Sequence, residues 1–176
     1  MDSLDRLMIE APKKGKTVKK IVKLSDRLVK EIDDNAIGFY TSRSEFVSEA
    51  VRNLTRKRLR EDRDFFRNLP EGEVDFDEYS LELMRYSQEM FFKLMRDTEQ
   101  YHSDIYTQVT VYIPEIELSY IENYTGKDMV IRNLQEYTRL AAAISINDLK
   151  KELELGFELS MEDKDGRVMM TVNNME

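Results

Sequence analysis

From Thr17 to Leu24 the sequence TVKKIVKL puts Val18, Val22 and Leu24 on one parity and Thr17, Lys19, Ile21 and Lys23 on the other, the period-two pattern of a short strand with one polar face. Two residues break the alternation, Lys20 on the apolar side and Ile21 on the polar side. A lone strand leaves its backbone donors and acceptors unpaired. With the two helices that follow, it forms a unit of about 45 residues, too small to bury an adequate core alone. A second strand is therefore required, from another copy of the chain or from elsewhere in this one.

Ser25 and Asp26 offer N-cap oxygens to a first helix whose Leu28, Val29 and Ile32 fall at helical spacing, fading between Asp34 and Gly38. A second helix opens at Thr41 or Ser42, where Ser42 and Glu45 have the Ser-x-x-Glu spacing of a capping box. Phe46, Val47, Ala50, Val51 and Leu54 are its apolar stripe, and the pattern continues through RKRLREDRDFF to Asn68, before Pro70 and Gly72. Residues 1–16, with Pro12 and Gly15, show no sustained period and read as a flexible arm carrying Lys13, Lys14 and Lys16.

Val74 to Ser103 reads as one long helix with Leu83, Met84, Ser87, Met90, Phe91, Leu94 and Met95 at near-heptad spacing. Its width, extended by Tyr79, Tyr86 and Phe92, predicts cover on two sides, by its own domain and by a partner chain. Period two returns in IYTQVTVYIP, with Ile105, Val109, Val111 and Ile113 inward and Gln108, Thr110 and Tyr112 outward. Pro114 then starts a helix with Leu118 and Ile121, Gly126 breaks it, and another follows with Val130, Leu134, Tyr137, Ala141 and Ile144. Strand, helix and helix thus occur twice. Residues 156–172 read as a hairpin turning at Asp165-Gly166.

The formal net charge is −8, which argues against a polyanionic partner until its distribution is examined. Residues 11–60 hold 14 Lys or Arg against 6 Asp or Glu, whereas residues 61–104 hold 5 against 13, so a basic block precedes an acidic one. The absence of Cys excludes disulfides, zinc–thiolate sites and a cysteine nucleophile, and suits a reducing cytoplasm. His102, beside Glu99, Tyr101 and Asp104, is the single His, so a metal site would need copies meeting across a symmetry axis; none is expected. No glycine-rich phosphate loop and no nucleophile with a base occur, so neither enzymatic activity nor a cofactor is expected. Without a long uncharged apolar run or a signal-peptide pattern at the start, no membrane partner is expected.

TVKKIVKLSDRLVKEID followed by GFYTSRSEFVSEAVRNL resembles the ribbon-helix-helix family, which includes the Arc and MetJ repressors. The likeness rests on the short strand, the Asp26-x-Leu28 start of the first helix, and Ser42, Arg43, Ser44, Glu45 and Phe46 opening the second. It implies an obligate dimer, a two-stranded ribbon in the DNA major groove, and a backbone phosphate on the N-terminus of the second helix. The base-facing residues would then be Lys19, Ile21 and Lys23; the phosphate contacts would be Lys13, Lys16, Lys20, Thr41, Ser42 and Arg43.

VTVYIPEIELSYIENYTG is similar to the same strand and first helix at an offset of 89, with Ile113-Pro114 where Leu24-Ser25 stands. Gly126, Lys127 and Asp128 take the place of the Ser-Arg-Ser-Glu opening, and Asp128 as N-cap would repel a phosphate. The whole chain is expected to be mainly α with short β ribbons: a flexible basic arm (1–16), a ribbon-helix-helix domain (17–68), an acidic connecting and dimerisation helix (74–104), and a second such unit for assembly ending in a β-hairpin (105–176). The two units pair either within one chain or each with its twin in another; the charge asymmetry favours the second, giving a homodimer or dimer of dimers on a palindromic site. The expected function is a DNA-binding transcriptional regulator, a repressor in its simplest form, with room for a small-molecule or protein effector on the C-terminal part. The alternative is an interaction module such as an antitoxin that autoregulates its operon and binds a toxin through its C-terminal part.

Overall fold

The structure, a computed structural model, describes residues 15–68 and 75–158. They form β1 (Thr17–Ser25), α1 (Asp26–Asn35), α2 (Arg43–Arg67), α3 (Phe76–Asp97), a 3-10 turn (Glu99–Tyr101), β2 (Tyr106–Pro114), α4 (Glu115–Tyr124) and α5 (Leu134–Glu158). The molecule is mainly helical, with one two-stranded antiparallel sheet among the described residues. Two strand–helix–helix units match element by element: strands of 9 residues, first helices of 10 and second helices of 25. Strand and first helix recur at an offset of 89, and the second helix at 91, because the α4–α5 connection is two residues longer than the α1–α2 connection.

β1 pairs with β2 of the same chain, from Thr17 opposite Pro114 to Ser25 opposite Tyr106. The expected pairing of two β1 strands across a dyad between chains is thereby corrected. A tethered strand of equal length competes at a high effective concentration against any strand from another molecule. Backbone bonds extend the ladder at both ends in equivalent positions: Asp26 N–H donates to the Ile105 carbonyl and Glu115 N–H to the Lys16 carbonyl, both at 2.9 Å.

The core lies between the ribbon and the helices. Val22, Leu24, Val29, Ile32, Phe46, Ala50 and Val51 are buried, and so are their counterparts Val111, Ile113, Leu118, Ile121, Tyr137, Ala141 and Ala142. Full burial of a large aliphatic or aromatic side chain stabilises by roughly 1.5–3 kcal/mol, so the two-unit arrangement supplies what one unit lacks. One pair departs from the match. Leu28 is buried in the first unit, whereas Glu117 stands in its place in the second, 3.2 Å from the Arg56 guanidinium.

α3 is fastened by a buried polar cluster on the C-terminal half of α2. Arg58, 1% exposed, donates to Ser87 Oγ at 2.6 Å, pairs with Glu61 and Asp62, and lies 5.5 Å from the Phe91 ring centroid. Asp62 Oδ2 accepts the hydroxyls of Tyr120 and Tyr124, each at 2.6 Å, which ties α4 to the same cluster. Leu83, Ser87 and Phe91 of α3 are buried, while Leu81, Met84, Tyr86 and Phe92 are exposed.

The long middle helix ends at Asp97, where Thr98 caps it and the 3-10 turn begins, short of the expected residue 104. Ile105 is exposed, not inward, because it precedes β2. α5 continues through Glu158, so Gly156 belongs to a helix where a hairpin was expected to begin, and the Asp165-Gly166 turn lies outside the described residues. Most of the arm, including Lys13 and Lys14, also lies outside them. No helix among the described residues is long and apolar enough to cross a membrane.

Candidate nucleic-acid interface

Alternation along the paired strands gathers six side chains on the side of the ribbon away from the core. Lys19 lies opposite Tyr112, Ile21 opposite Thr110, and Lys23 opposite Gln108. Five of the six are exposed and Thr110 is half-buried; Ile21, an apolar residue, is 65% exposed. Lys20, on the same strand, and Lys16, immediately before it, are also exposed, although Lys20 shares the parity of Val18 and Val22. None of these four lysines takes part in an ion pair among the described residues.

A two-stranded ribbon has two outer edges whose backbone groups need partners. The first turns of α2 and α5 supply them. Ser44 Oγ donates to the Thr110 carbonyl at 2.6 Å, and Tyr112 N–H donates to Ser48 Oγ at 3.0 Å. On the other edge Lys23 N–H donates to Gln135 Oε1 at 3.2 Å, and Arg139 Nε donates to the Lys23 carbonyl at 2.7 Å. Ser44 and Ser48 stand 91 positions before Gln135 and Arg139, so equivalent helix turns grip opposite edges. Both helix N-termini are thus fixed beside the ribbon.

Each of these N-termini carries the same cap. Ser42 Oγ accepts from Glu45 N–H at 3.1 Å, and Glu45 Oε2 takes both the amide and the hydroxyl of Thr41 at 2.6 Å. Those two bonds hold the Glu45 carboxyl below its ordinary pKa. In the second unit Asn133 Oδ1 accepts from Glu136 N–H at 3.0 Å and Glu136 Oε2 from Arg132 N–H at 2.8 Å. The amides of Arg43 and Ser44, and those of Leu134 and Gln135, meet no acceptor among the described residues and remain open to an anion.

The three residues expected at a phosphate near α2 are all engaged within the chain. Thr41 is bonded to Glu45, and Arg43 forms a bidentate pair with Asp33 at 2.6 and 2.5 Å, which lowers the Asp33 pKa. Ser42 serves as the cap. In the second unit the true cap is Asn133, not Asp128: Gly126, Lys127 and Asp128 lie within the α4–α5 connection. Arg132, Asn133, Gln135 and Arg139 escaped the sequence reading because the repeat was followed at 89, whereas after the two-residue insertion it runs at 91. The Asn-x-x-Glu spacing at 133–136 was the signal.

Arg139 also stacks over the Tyr106 ring at 4.6 Å, at the rim of a cavity of about 340 Å³ between Ser25, Leu28, Tyr101, His102, Glu136 and Leu140. No group of three or more His, Cys, Asp or Glu able to hold a metal ion occurs among the described residues. No protein-family model matches the chain, and neither a curated protein nor a solved structure matches it.

Proposed function

We propose that the chain binds double-stranded DNA sequence-specifically and regulates transcription, acting most simply as a repressor that occupies a promoter. In this reading its two units are ribbon-helix-helix modules joined in one chain, and the intramolecular ribbon enters the major groove. The observation that carries it is the outward row of Lys19, Ile21, Lys23, Gln108, Thr110 and Tyr112, flanked on both edges by helix N-termini with open amides.

A major groove about 12 Å wide admits a two-stranded ribbon. Lys19 and Lys23 suit guanine O6 and N7, Gln108 suits the paired donor and acceptor of adenine, and Ile21 suits a thymine methyl. The amides of Arg43 and Ser44 at one edge and of Leu134 and Gln135 at the other suit two phosphates, fixing register without reading sequence. The net charge of −8 does not oppose this, because Lys19, Lys20 and Lys23 share one strand, Lys16 immediately precedes it, and the acidic excess lies in residues 61–104.

The test is selection of binding sites from random duplex DNA by the full chain, followed by fluorescence anisotropy on the selected sequence across a salt series. One chain per site, a non-palindromic sequence and a salt slope corresponding to on the order of 3 to 4 phosphate contacts are expected. Absence of binding to the selected pool at low salt would end the proposal.

A further inference from the structure

α3 turns two faces in different directions. Leu83, Ser87 and Phe91 are buried and Met90 and Leu94 half-buried against the rest of the chain, whereas Leu81 and Phe92 are 66% and 61% exposed. Leu81, Met84, Gln88, Phe92 and Met95 follow one another at steps of three, four, four and three, the seam spacing of a helix that packs along another helix. Gln88 Oε1 is held by Val130 N–H at 2.8 Å, which anchors the seam to the α4–α5 connection.

Beside this seam runs a row of six charges, Glu78, Glu82, Arg85, Glu89, Lys93 and Arg96. All six are exposed, and none takes part in an ion pair among the described residues. Read from the N-terminus their signs are minus, minus, plus, minus, plus, plus. Reversed, every sign becomes its opposite. Two such helices laid antiparallel, centred near Ser87, set Glu78 against Arg96, Glu82 against Lys93 and Arg85 against Glu89, twice over. Laid parallel about a dyad along the helices, the two rows fall on opposite sides of the contact and none of these pairs forms, so the charges favour the antiparallel arrangement.

We infer that the exposed part of this seam, Leu81, Met84 and Phe92, beside the half-buried Gln88 and Met95, is a self-association surface on which α3 of a second copy of this chain docks antiparallel. Leu81, Met84 and Phe92 supply the apolar contact and the six charges set direction and partner. Because β1 already finds β2 within the chain, this contact is independent of the ribbon and joins two complete ribbons into one particle. It does not rest on the DNA-binding proposal.

Charge reversal on the full chain tests the inference. Glu78→Lys with Glu82→Lys makes one variant, and Lys93→Glu with Arg96→Glu makes another; circular dichroism checks that both keep the wild-type helix content. Sedimentation velocity should show a concentration-dependent dimer for the wild type, and a dimer dissociation constant raised by on the order of tenfold or more for each variant alone. An equimolar mixture of the two variants should recover the dimer, because every reversed charge then meets its opposite. A wild type that stays monomeric through the high-micromolar range overturns the inference. So does a dimer that the reversals leave unchanged, or a mixture that fails to recover it. No DNA is present, so the outcome is separate from that of the binding-site selection.

Discussion

Ile21 faces Thr110 across the ribbon, and Thr110 is also the residue that occupies Ile21's position in the second unit, 89 positions later. The local two-fold relation between the units therefore passes through this one pair. It maps Lys19 onto Gln108 and Lys23 onto Tyr112, so the two halves of the ribbon offer different chemistry: Lys19 beside Tyr112 in one, Lys23 beside Gln108 in the other.

Lys19→Ala and Lys23→Ala should therefore relax sequence preference at opposite ends of the site, each at a cost of roughly 1–3 kcal/mol in binding. Gln108→Ala should relax the same end as Lys23→Ala. Had each strand paired with its twin, changes in β2 would have left specificity intact. Repeating the site selection with each variant decides the matter, and equal loss at both ends from any single change would rule out a single ribbon reading asymmetrically.

Asp33 holds the Arg43 guanidinium through two hydrogen bonds beside the open amides of α2, and places a carboxylate where a phosphate would approach. Removing it with Asp33→Ala should strengthen DNA binding several-fold at low salt and steepen the salt slope by about one, as Arg43 becomes free to neutralise a phosphate. Arg43→Ala in the otherwise unchanged protein should weaken binding less than Lys23→Ala does. Anisotropy across a salt series reads both, and an unchanged slope in Asp33→Ala would show that Arg43 stays away from the backbone.

Local periodicity made the elements legible: the alternation around Val22 and Val111, the Ser42 to Glu45 box and the stripe from Phe46 to Leu54 place β1, β2 and α2 within a residue or two of where they lie. Pairing was not legible, because alternation states which residues face in but not which strand lies alongside. Charge misled about pairing, since the neutral row of Gln108, Thr110 and Tyr112 suggested that each strand meets its twin, whereas it sits in register with the lysines. The burial within the α2 extension was not legible, for Arg58 and Asp62 look like their solvated neighbours until α3 and α4 cover them. Their partners Ser87, Tyr120 and Tyr124 are far away in sequence and carry no local mark.

Glu117 is the clearest mismatch between the units, a buried carboxylate in the position of Leu28. Burial raises its pKa above the ordinary 4.5 against the opposing pull of Arg56 and Arg52, and its Oε2 has no hydrogen-bond partner among the described residues. Glu117→Leu should stabilise the fold at neutral pH by about 1 kcal/mol or more, since Arg56 is half exposed and retains water when its partner is removed. A raised folded-state pKa means that the wild type gains stability as pH falls through that value, and the gain is complete below the unfolded value. The advantage of Glu117→Leu should therefore shrink on acidification from neutral pH toward 4.5. Asp33 and Glu45, whose lowered values have the opposite sign, act alike in both proteins and cancel in the difference. Urea denaturation of the pair over this range is the check, and a difference that does not move with pH would remove Glu117 as its source.

Asp62 joins two helices: it stands opposite Arg58 on its own α2 and accepts two tyrosine hydroxyls from α4. Burial pushes both hydroxyls well above the ordinary tyrosine pKa of 10, so they remain protonated donors wherever the protein is folded. Asp62→Ala would leave Arg58 buried beside Glu61 alone and both hydroxyls without an acceptor, a combination that should cost roughly 3–5 kcal/mol. Asp62→Asn keeps an acceptor but removes the charge, and should fall between that variant and the wild type. Tyr120→Phe and Tyr124→Phe each remove one hydrogen bond to a charged group and should cost about 1.5–3 kcal/mol. Chemical denaturation followed by circular dichroism gives the ranking, with tyrosine absorbance on alkaline titration as an independent readout: in the wild type Tyr120 and Tyr124 should ionise only as the protein unfolds. If Asp62→Ala proves no less stable than the single tyrosine changes, the Arg58–Asp62 pair contributes nothing to stability beyond the hydroxyl bonds.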